Sequence, residues 1–458
     1  MKKLTDILKN TPVREVCGDT AAAIGGLVYD SRAVKPGDCF FAVPGTQSDG
    51  HDYIPIAVEK GAAAIVCERM PADAAEGVAY VLVGDSAGAM ADMAAAFYDY
   101  PSRELKLVGI TGTNGKTTTA TLLYDLVRAM GYKAGLISTV VYKIDGREVE
   151  ATHTTPDSIR LNAMMREMAD AGCAYCFMEC SSHAIVQERT RGLDFAGGIF
   201  SNITHDHLDY HKTFAEYIRA KKLFFDGLPK GAFALTNADD RNGRVMVQNT
   251  AAAVSAYSLR AMADFRCKIV EMHLDGMLLR IDGQELWVGL LGRFNAYNLL
   301  AVYGAAVLLG LDRGEVLRVL SMLHAVSGRF EKIRAANGTT AIVDYAHTPD
   351  ALENVIQTIE EIRTPGQQLI VVCGCGGDRD RTKRPEMAAI AVKYATTAVF
   401  TSDNPRHESP EAILDDMVAG LEPGARYLRS ADRAEAIRTA VMLSRPAKGT
   451  KPIRLSAT

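Results

Sequence analysis

Residues 109–119 read Gly-Ile-Thr-Gly-Thr-Asn-Gly-Lys-Thr-Thr-Thr, and their register decides what kind of sheet the chain builds. The apolar run Leu105–Ile110 predicts a short buried strand in front of them. Behind them, apolar residues recur at helical spacing from Thr117 to Met130 and stop at Gly131, a residue suited to a helix C-terminus. A strand, a tight glycine turn and a helix N-terminus together make a phosphate cradle. Backbone N–H groups and the helix dipole favour anionic oxygens, Lys116 adds a point charge, and the Thr117 hydroxyl can serve Mg2+. The common loop carries a glycine five residues before Gly115, where this chain has Ile110; its earlier glycine is Gly112. The loop is a variant, set in an α/β sheet.

The 458 residues suffice for about three domains of ordinary size. A chain 48% hydrophobic and 23% charged has the composition of packed cores rather than of a disordered polymer. A net charge of −4 argues against binding nucleic acid by bulk electrostatics. The cysteines number nine, an odd count, and Met1-Lys2-Lys3-Leu4-Thr5-Asp6 opens no secretory signal, so reduced thiols in a cytoplasm are expected. The apolar stretch Ala301–Leu311 falls well short of the roughly 18 residues of a membrane span. Cys173, Cys176 and Cys180, like Cys373 and Cys375, do not form the two pairs usual for structural zinc and are read as buried or loop thiols.

Three blocks separate by pattern. Residues 1–102 alternate short apolar runs with turns such as Lys35-Pro36-Gly37-Asp38. Residues 103–328 alternate strands and helices as parallel sheets do. Residues 329–458 hold the strands Ile342–Asp344, Leu369–Cys373 and Ala398–Thr401 between helical stretches. Gly374, Gly376 and Gly377 follow one of these strands, but their spacing is not that of a dinucleotide turn.

Two further stretches bear chemistry. Glu179 follows the apolar run Phe177-Met178, and residues 202–211 read Asn-Ile-Thr-His-Asp-His-Leu-Asp-Tyr-His. A nucleotide-bound Mg2+ needs only a hydroxyl and an acid, so a second acid with histidines suggests a second metal. Tyr217–Phe225 has the pattern of an amphipathic helix with surface lysines.

Together these residues resemble the Mur ligases, and within them the type that adds the third residue of the peptidoglycan stem peptide. The likeness runs from Leu27 to about Pro446. It implies a three-domain α/β fold: a UDP-binding domain, a P-loop-type ATP-binding domain with a parallel sheet, and a Rossmann-like third domain. It implies ATP contacts from Gly112, Thr113, Asn114, Gly115, Lys116, Thr117 and Thr118, with Asn295 at the adenine and Arg329 and Asp344 at phosphate and ribose. Thr117, Glu179 and His207 correspond to metal-binding positions, and Lys221, in Ala-Lys-x-x-Phe-Phe, to a carbamylated lysine. Capping that amine with CO2 would turn a cation into an anion able to sit beside Mg2+. Lys116, Lys221, Glu179 and His207 are the implied catalytic set.

The resemblance also maps the substrates. Tyr29, Ser31 and the turn Thr46-Gln47-Ser48 look like the uridine-nucleotide grip. His153, Thr154 and Thr155 with Ser181, Gln187 and Arg189 resemble the muramoyl-dipeptide site. Asp403, Asn404, Pro405 and Arg406 resemble the motif that selects diaminopimelate, with Arg379 as a second contact. A guanidinium binds bidentately the distal carboxylate that lysine lacks. The implied reaction joins meso-diaminopimelate to UDP-MurNAc-L-Ala-D-Glu through an acyl phosphate, in a cytoplasmic monomer using ATP and Mg2+.

Rival readings are a folylpolyglutamate synthase-like ligase or the ligase adding D-Ala-D-Ala, against which stand Asp403–Arg406 and the stretch Ser31–Asp38. A third is a nucleotide-binding protein that has lost catalysis. It arises because the tail from Arg445 has two prolines, four basic residues and no acid, and lacks the family's Lys-Gly-His-Glu. On that ground the third domain is expected to be truncated, to lack its last strand and to expose an unpaired sheet edge.

Overall fold

A computed structural model describes residues 1–45, 48–151, 153–204, 208–335, 338–444 and 453–457. Among the described residues three larger sheets follow one another along the chain. The first has five strands between Val13 and Val83, parallel except for Val13–Cys17, which runs against Ala79–Val83.

The central sheet has eleven strands, seven of them parallel neighbours in the order Ala134–Ile137, Tyr175–Glu179, Lys106–Thr111, Gly197–Phe200, Phe233–Asn237, Ala253–Ser258, Phe265–His273. Lys106–Thr111 is central because it is covered on both faces. Its Val108 and Ile110 pack with Leu122 and Leu123 of the helix Lys116–Ala129, while Leu107 packs with Met165 and Phe225 on the other side. Such double coverage explains why the strand reads as a continuous apolar run. Sequence reading missed the antiparallel hairpins Val141–Ile144/Arg147–Glu150 and Gly276–Ile281/Gln284–Val288 at the two ends of this sheet. Each turns on Asp-Gly, and Asp145, Gly146, Asp282 and Gly283 all have positive φ. That dipeptide between strand-like runs is a strong hairpin signal.

The third sheet has six strands in the order Glu331–Arg334, Thr340–Asp344, Ile453–Ala457, Leu369–Cys373, Thr397–Thr401, Tyr427–Ser430. The expectation that this sheet lacks its last strand is thereby corrected. Ile453–Ala457 runs parallel between two inner strands, with Leu455 opposite both Ile342 and Val371. Among the described residues the predicted open edge at this place is filled by that strand. The reason is physical: a gap between two buried strands must satisfy their N–H and C=O groups, and backbone pairing requires no family motif.

Candidate active site

The phosphate loop leaves the central sheet after Thr111 and enters the helix Lys116–Ala129. Gly112 and Gly115 have φ of 148° and 87°. A Cβ would lie 2.0 Å from Ser201 Oγ at Gly112 and 2.4 Å from Asn298 Oδ1 at Gly115, so both positions require glycine. The next strand's end pins the turn: Asn114 N donates to Asn202 Oδ1 at 2.9 Å, and Ser201 Oγ donates to Asn114 O at 2.6 Å. Ser201 and Asn298 escaped sequence reading, and Asn202 was read only as part of a possible metal stretch, because only the fold brings them here. Lys116 Nζ donates to Gly112 O and Thr113 O at 3.0 and 2.7 Å.

Behind the loop, Thr117 Oγ1 donates to Glu179 Oε1 at 2.9 Å. Thr139 holds the same carboxylate through its N–H at 2.7 Å and its hydroxyl at 3.2 Å. A hydroxyl beside a carboxylate is a donor set that fits Mg2+, which takes one or two protein oxygens and completes its shell with phosphate and water. Among the described residues no three His, Cys, Asp or Glu side chains cluster as metal ligands. His207 lies outside the described residues.

Lys221 corrects the surface-lysine reading of its helix, Phe214–Asp226, which opens with a Thr213–Glu216 capping box. Lys221 is 1% exposed and Lys222 9%. Lys221 Nζ donates to Gly112 O at 2.7 Å and lies 4.5 Å from the centre of the Tyr217 ring. The helix thus delivers its amine to the underside of the phosphate loop.

A cavity of about 1060 Å³ runs from this loop to the third domain. Thr113–Thr118, Glu179, Lys221, Asn295, Arg329 and Asp344 all line it. Arg329 Nη2 donates to Thr117 Oγ1 at 3.0 Å and the guanidinium stacks 4.4 Å from the Tyr345 ring centre. Asn114 Nδ2 donates to Asp350 Oδ2 at 3.2 Å, a second bridge between central and third domains. Burial raises the Asp344 carboxyl above its ordinary range, opposed by Arg329 and by backbone donors such as Phe330 N. Asn295 is buried, its amide donating to Leu291 O at 2.8 Å.

One flank of the cavity is a polar network. Arg189 donates to Thr155 O at 2.7 Å and to Gln187 Oε1 at 2.6 Å. Thr155 Oγ1 donates to Glu179 O at 2.8 Å, and Ser181 N donates to that same hydroxyl at 3.2 Å. His153 and Thr154 line the same flank. Of the expected uridine grip, Tyr29, Ser31 and Ser48 do not line this cavity, and Thr46 and Gln47 lie outside the described residues. Burial raises the Tyr29 phenol, with Asp157 adding to the shift and Arg189 opposing it.

At the far end, Arg379, Asp403, Asn404 and Arg406 line the cavity, and Pro405 lies in the same turn. The glycines after Leu369–Cys373 serve this turn. A Cβ at Gly377 would come within 1.9 Å of Pro405 O, and one at Gly374 within 2.3 Å of Thr401 O. Sequence reading missed Arg384, which is 1% exposed and forks onto Glu408 at 2.7 and 2.9 Å. This fork, helped by Asp378 N, pulls the Glu408 carboxyl down to about 2. A carboxyl lowered from its ordinary value of about 4.3 stabilises the fold above that value and loses the effect as pH falls through about 2. Glu408→Gln is therefore expected to flatten the fall of melting temperature between about pH 4.5 and 2, measured by circular dichroism. A variant with the wild-type acid profile would contradict the coupling.

Comparison with known proteins adds three family matches. The Mur ligase family catalytic domain matches residues 23–98, the Mur ligase middle domain 110–306, and the Mur ligase glutamate ligase domain 328–449. A protein of Phocaeicola vulgatus named UDP-N-acetylmuramoyl-L-alanyl-D-glutamate–2,6-diaminopimelate ligase is 55% identical over 96% of this chain and 92% of its own length. One of the same name from Geobacillus thermodenitrificans is 43% identical over 96% of this chain and 91% of its own. A solved structure of a ligase so named superposes with a TM-score of 0.72 at 29% identity, covering all of this chain and 93% of the other. The MurF ligase of Thermotoga maritima in complex with ADP shares the fold, with a TM-score of 0.65 at 19% identity over 95% of this chain and 94% of its own.

Proposed function

The chain belongs to the Mur ligase family, and from that premise we propose that it joins meso-2,6-diaminopimelate to UDP-N-acetylmuramoyl-L-alanyl-D-glutamate with ATP, an amide ligation of peptidoglycan precursor synthesis. The observation that carries this reading is the single cavity, which brings the phosphate loop, the Thr155–Arg189 network and the Arg379/Arg406 turn into one space. Residues 1–102, 103–328 and 329–458 act as the uridine-nucleotide, ATP and amino-acid domains.

In the first step the D-Glu γ-carboxylate oxygen bonds to the γ-phosphorus of ATP as the bridging P–O bond breaks and ADP leaves. In the second the neutral diaminopimelate amine attacks the acyl carbon, the C–N bond forms, the acyl C–O bond breaks so that phosphate departs, and the nitrogen gives up a proton to the departing phosphate or to water. Phosphoryl transfer is mostly positioning and electrostatics. Lys116 turns from its loop carbonyls to the β- and γ-phosphates, Arg329 adds charge from the third domain, and Asn295 and Asp344 hold adenine and ribose. Thr117, Glu179 and the carbamylated Lys221, with His207, are the residues that would hold Mg2+. When bound, Mg2+ supplies Lewis-acid neutralisation of the phosphoryl oxygens. Arg189, Gln187, Ser181 and Thr155, with His153 and Thr154, orient the dipeptide. Tyr29, Ser31 and Thr46–Ser48 grip the uridine nucleotide. The enzyme works as a cytoplasmic monomer; among the described residues no helix is long and apolar enough to cross a membrane.

The test compares phosphate release with diaminopimelate and with lysine, each with and without the UDP-dipeptide. Release that needs both ATP and UDP-dipeptide and prefers diaminopimelate is expected; release indifferent to the amino acid overturns the assignment. Arg406 pairs with the distal carboxylate, a charge-assisted contact contributing about 1.5–3 kcal/mol. Arg406→Ala should raise KM for diaminopimelate at least about tenfold and leave KM for ATP nearly unchanged. An unaltered diaminopimelate KM would remove Arg406 from the pocket.

A further inference from the structure

Arg384 breaks two local rules. It sits in the first turn of the helix Lys383–Tyr394, where the helix dipole disfavours a cation, and it is buried at 1% exposure. Its Nε has no hydrogen-bond partner among the described residues. A buried ion pair of this kind is weak support for stability compared with apolar packing. What it supplies is geometry.

The guanidinium fastens two loops that carry the cavity's far-end arginines. Nη2 donates to Gly376 O at 3.2 Å and Glu408 Oε1 at 2.7 Å; Nη1 donates to Glu408 Oε2 at 2.9 Å and Asp416 Oδ2 at 2.6 Å. Glu408 Oε1 also accepts from Asp378 N at 2.6 Å. Gly376 lies three residues before Arg379 and Glu408 two after Arg406, so each loop is tied close to its arginine. The loops also hold each other: Gly377 N donates to Asn404 O at 2.9 Å, and Arg406 Nη1 to Gly377 O at 2.6 Å. Asp378 and Arg406 are kept at φ of 52° and 49°, a left-handed conformation that side chains other than glycine hold only when their surroundings over-determine it.

We propose that Arg384 is a positioning residue for the incoming amino acid, setting the spacing of Arg379 and Arg406 through Glu408 and the Gly376 carbonyl. The inference rests on the reading that this end of the cavity takes diaminopimelate. Arg384 touches no substrate; it decides whether two exposed guanidinium groups stand where an amino acid with a distal carboxylate needs them. Glu408 is the transmitting group, because it joins the buried fork to the backbone of the opposite loop.

The test uses the whole chain carrying Arg384→Lys, which keeps the charge but not the fork, or Glu408→Gln, which keeps the shape. Each is expected to raise KM for diaminopimelate about tenfold or more, with KM for ATP and for UDP-dipeptide within about twofold of wild type. Preference for diaminopimelate over lysine should narrow by a similar factor. Melting at pH 7 identifies a variant that fails to fold, and the other then decides. Equal shifts in all three KM values, or an unchanged diaminopimelate KM in a folded variant, overturn the clamp. If the wild-type chain itself fails to distinguish diaminopimelate from lysine, the substrate reading falls and the inference with it. If wild type distinguishes them and both folded variants do so equally well, the clamp alone is wrong.

Discussion

Lys116→Ala is expected to cut ATP-dependent ligation about a thousandfold, about 4 kcal/mol of lost transition-state stabilisation, while the protein stays folded. The ammonium of the half-buried side chain rests on the carbonyls of Gly112 and Thr113, and the turn is held independently by Ser201 and Asn202. Removing it takes away the charge proposed to meet the β- and γ-phosphates and leaves the cradle's backbone donors in place. Initial rates at saturating ATP, with a melting curve as control, measure this. Near-normal turnover would mean that the phosphate site lies elsewhere.

Lys221→Ala is expected to be nearly inactive, and a short-chain carboxylic acid added in solution should partly restore it. The side chain is 1% exposed and reaches Gly112 O from beneath the loop, so it belongs to the site and not to the surface of its helix. As an ammonium it would place a cation in the cavity that Thr117 and Glu179 also line. As a carbamate it would place an anion there, and a small carboxylate can take the place of that anion in the space left by alanine. Loss of activity that the acid does not restore would point to a plain ammonium role, and full activity of the variant would remove Lys221 from catalysis. The rate against acid concentration is the measurement.

Much of this was legible in the chain because it is local. The predicted strand Leu105–Ile110 is Lys106–Thr111, and the predicted helix Thr117–Met130 is Lys116–Ala129. Leu369–Cys373 is found at the predicted residues. Apolar run length, glycine register and helix-stop signals act over a few residues, so they survive without knowledge of the fold. The two Asp-Gly hairpins were equally local and were overlooked, their signal being the dipeptide itself.

The tail shows the opposite case. Judged by side chains, residues 450–458 lie beyond the family match, which ends at residue 449; judged by backbone, Ile453–Ala457 completes the ladder between Thr340–Asp344 and Leu369–Cys373. Hydrogen bonding along a strand is carried by groups every residue has, so motif comparison could not foresee it.

By itself, then, the sequence determined the phosphate loop, the alternation of strands and helices and the family to which the chain belongs, because each rests on residue types at short spacing. Only the tertiary structure decided that Lys221 is buried, that Ser201 and Asn298 demand the two loop glycines, and that Arg384 ties Gly376 to Glu408 beneath the Asp403–Arg406 turn. Those relations join residues far apart in the chain, and burial and close approach are properties of the packed whole that no local pattern encodes.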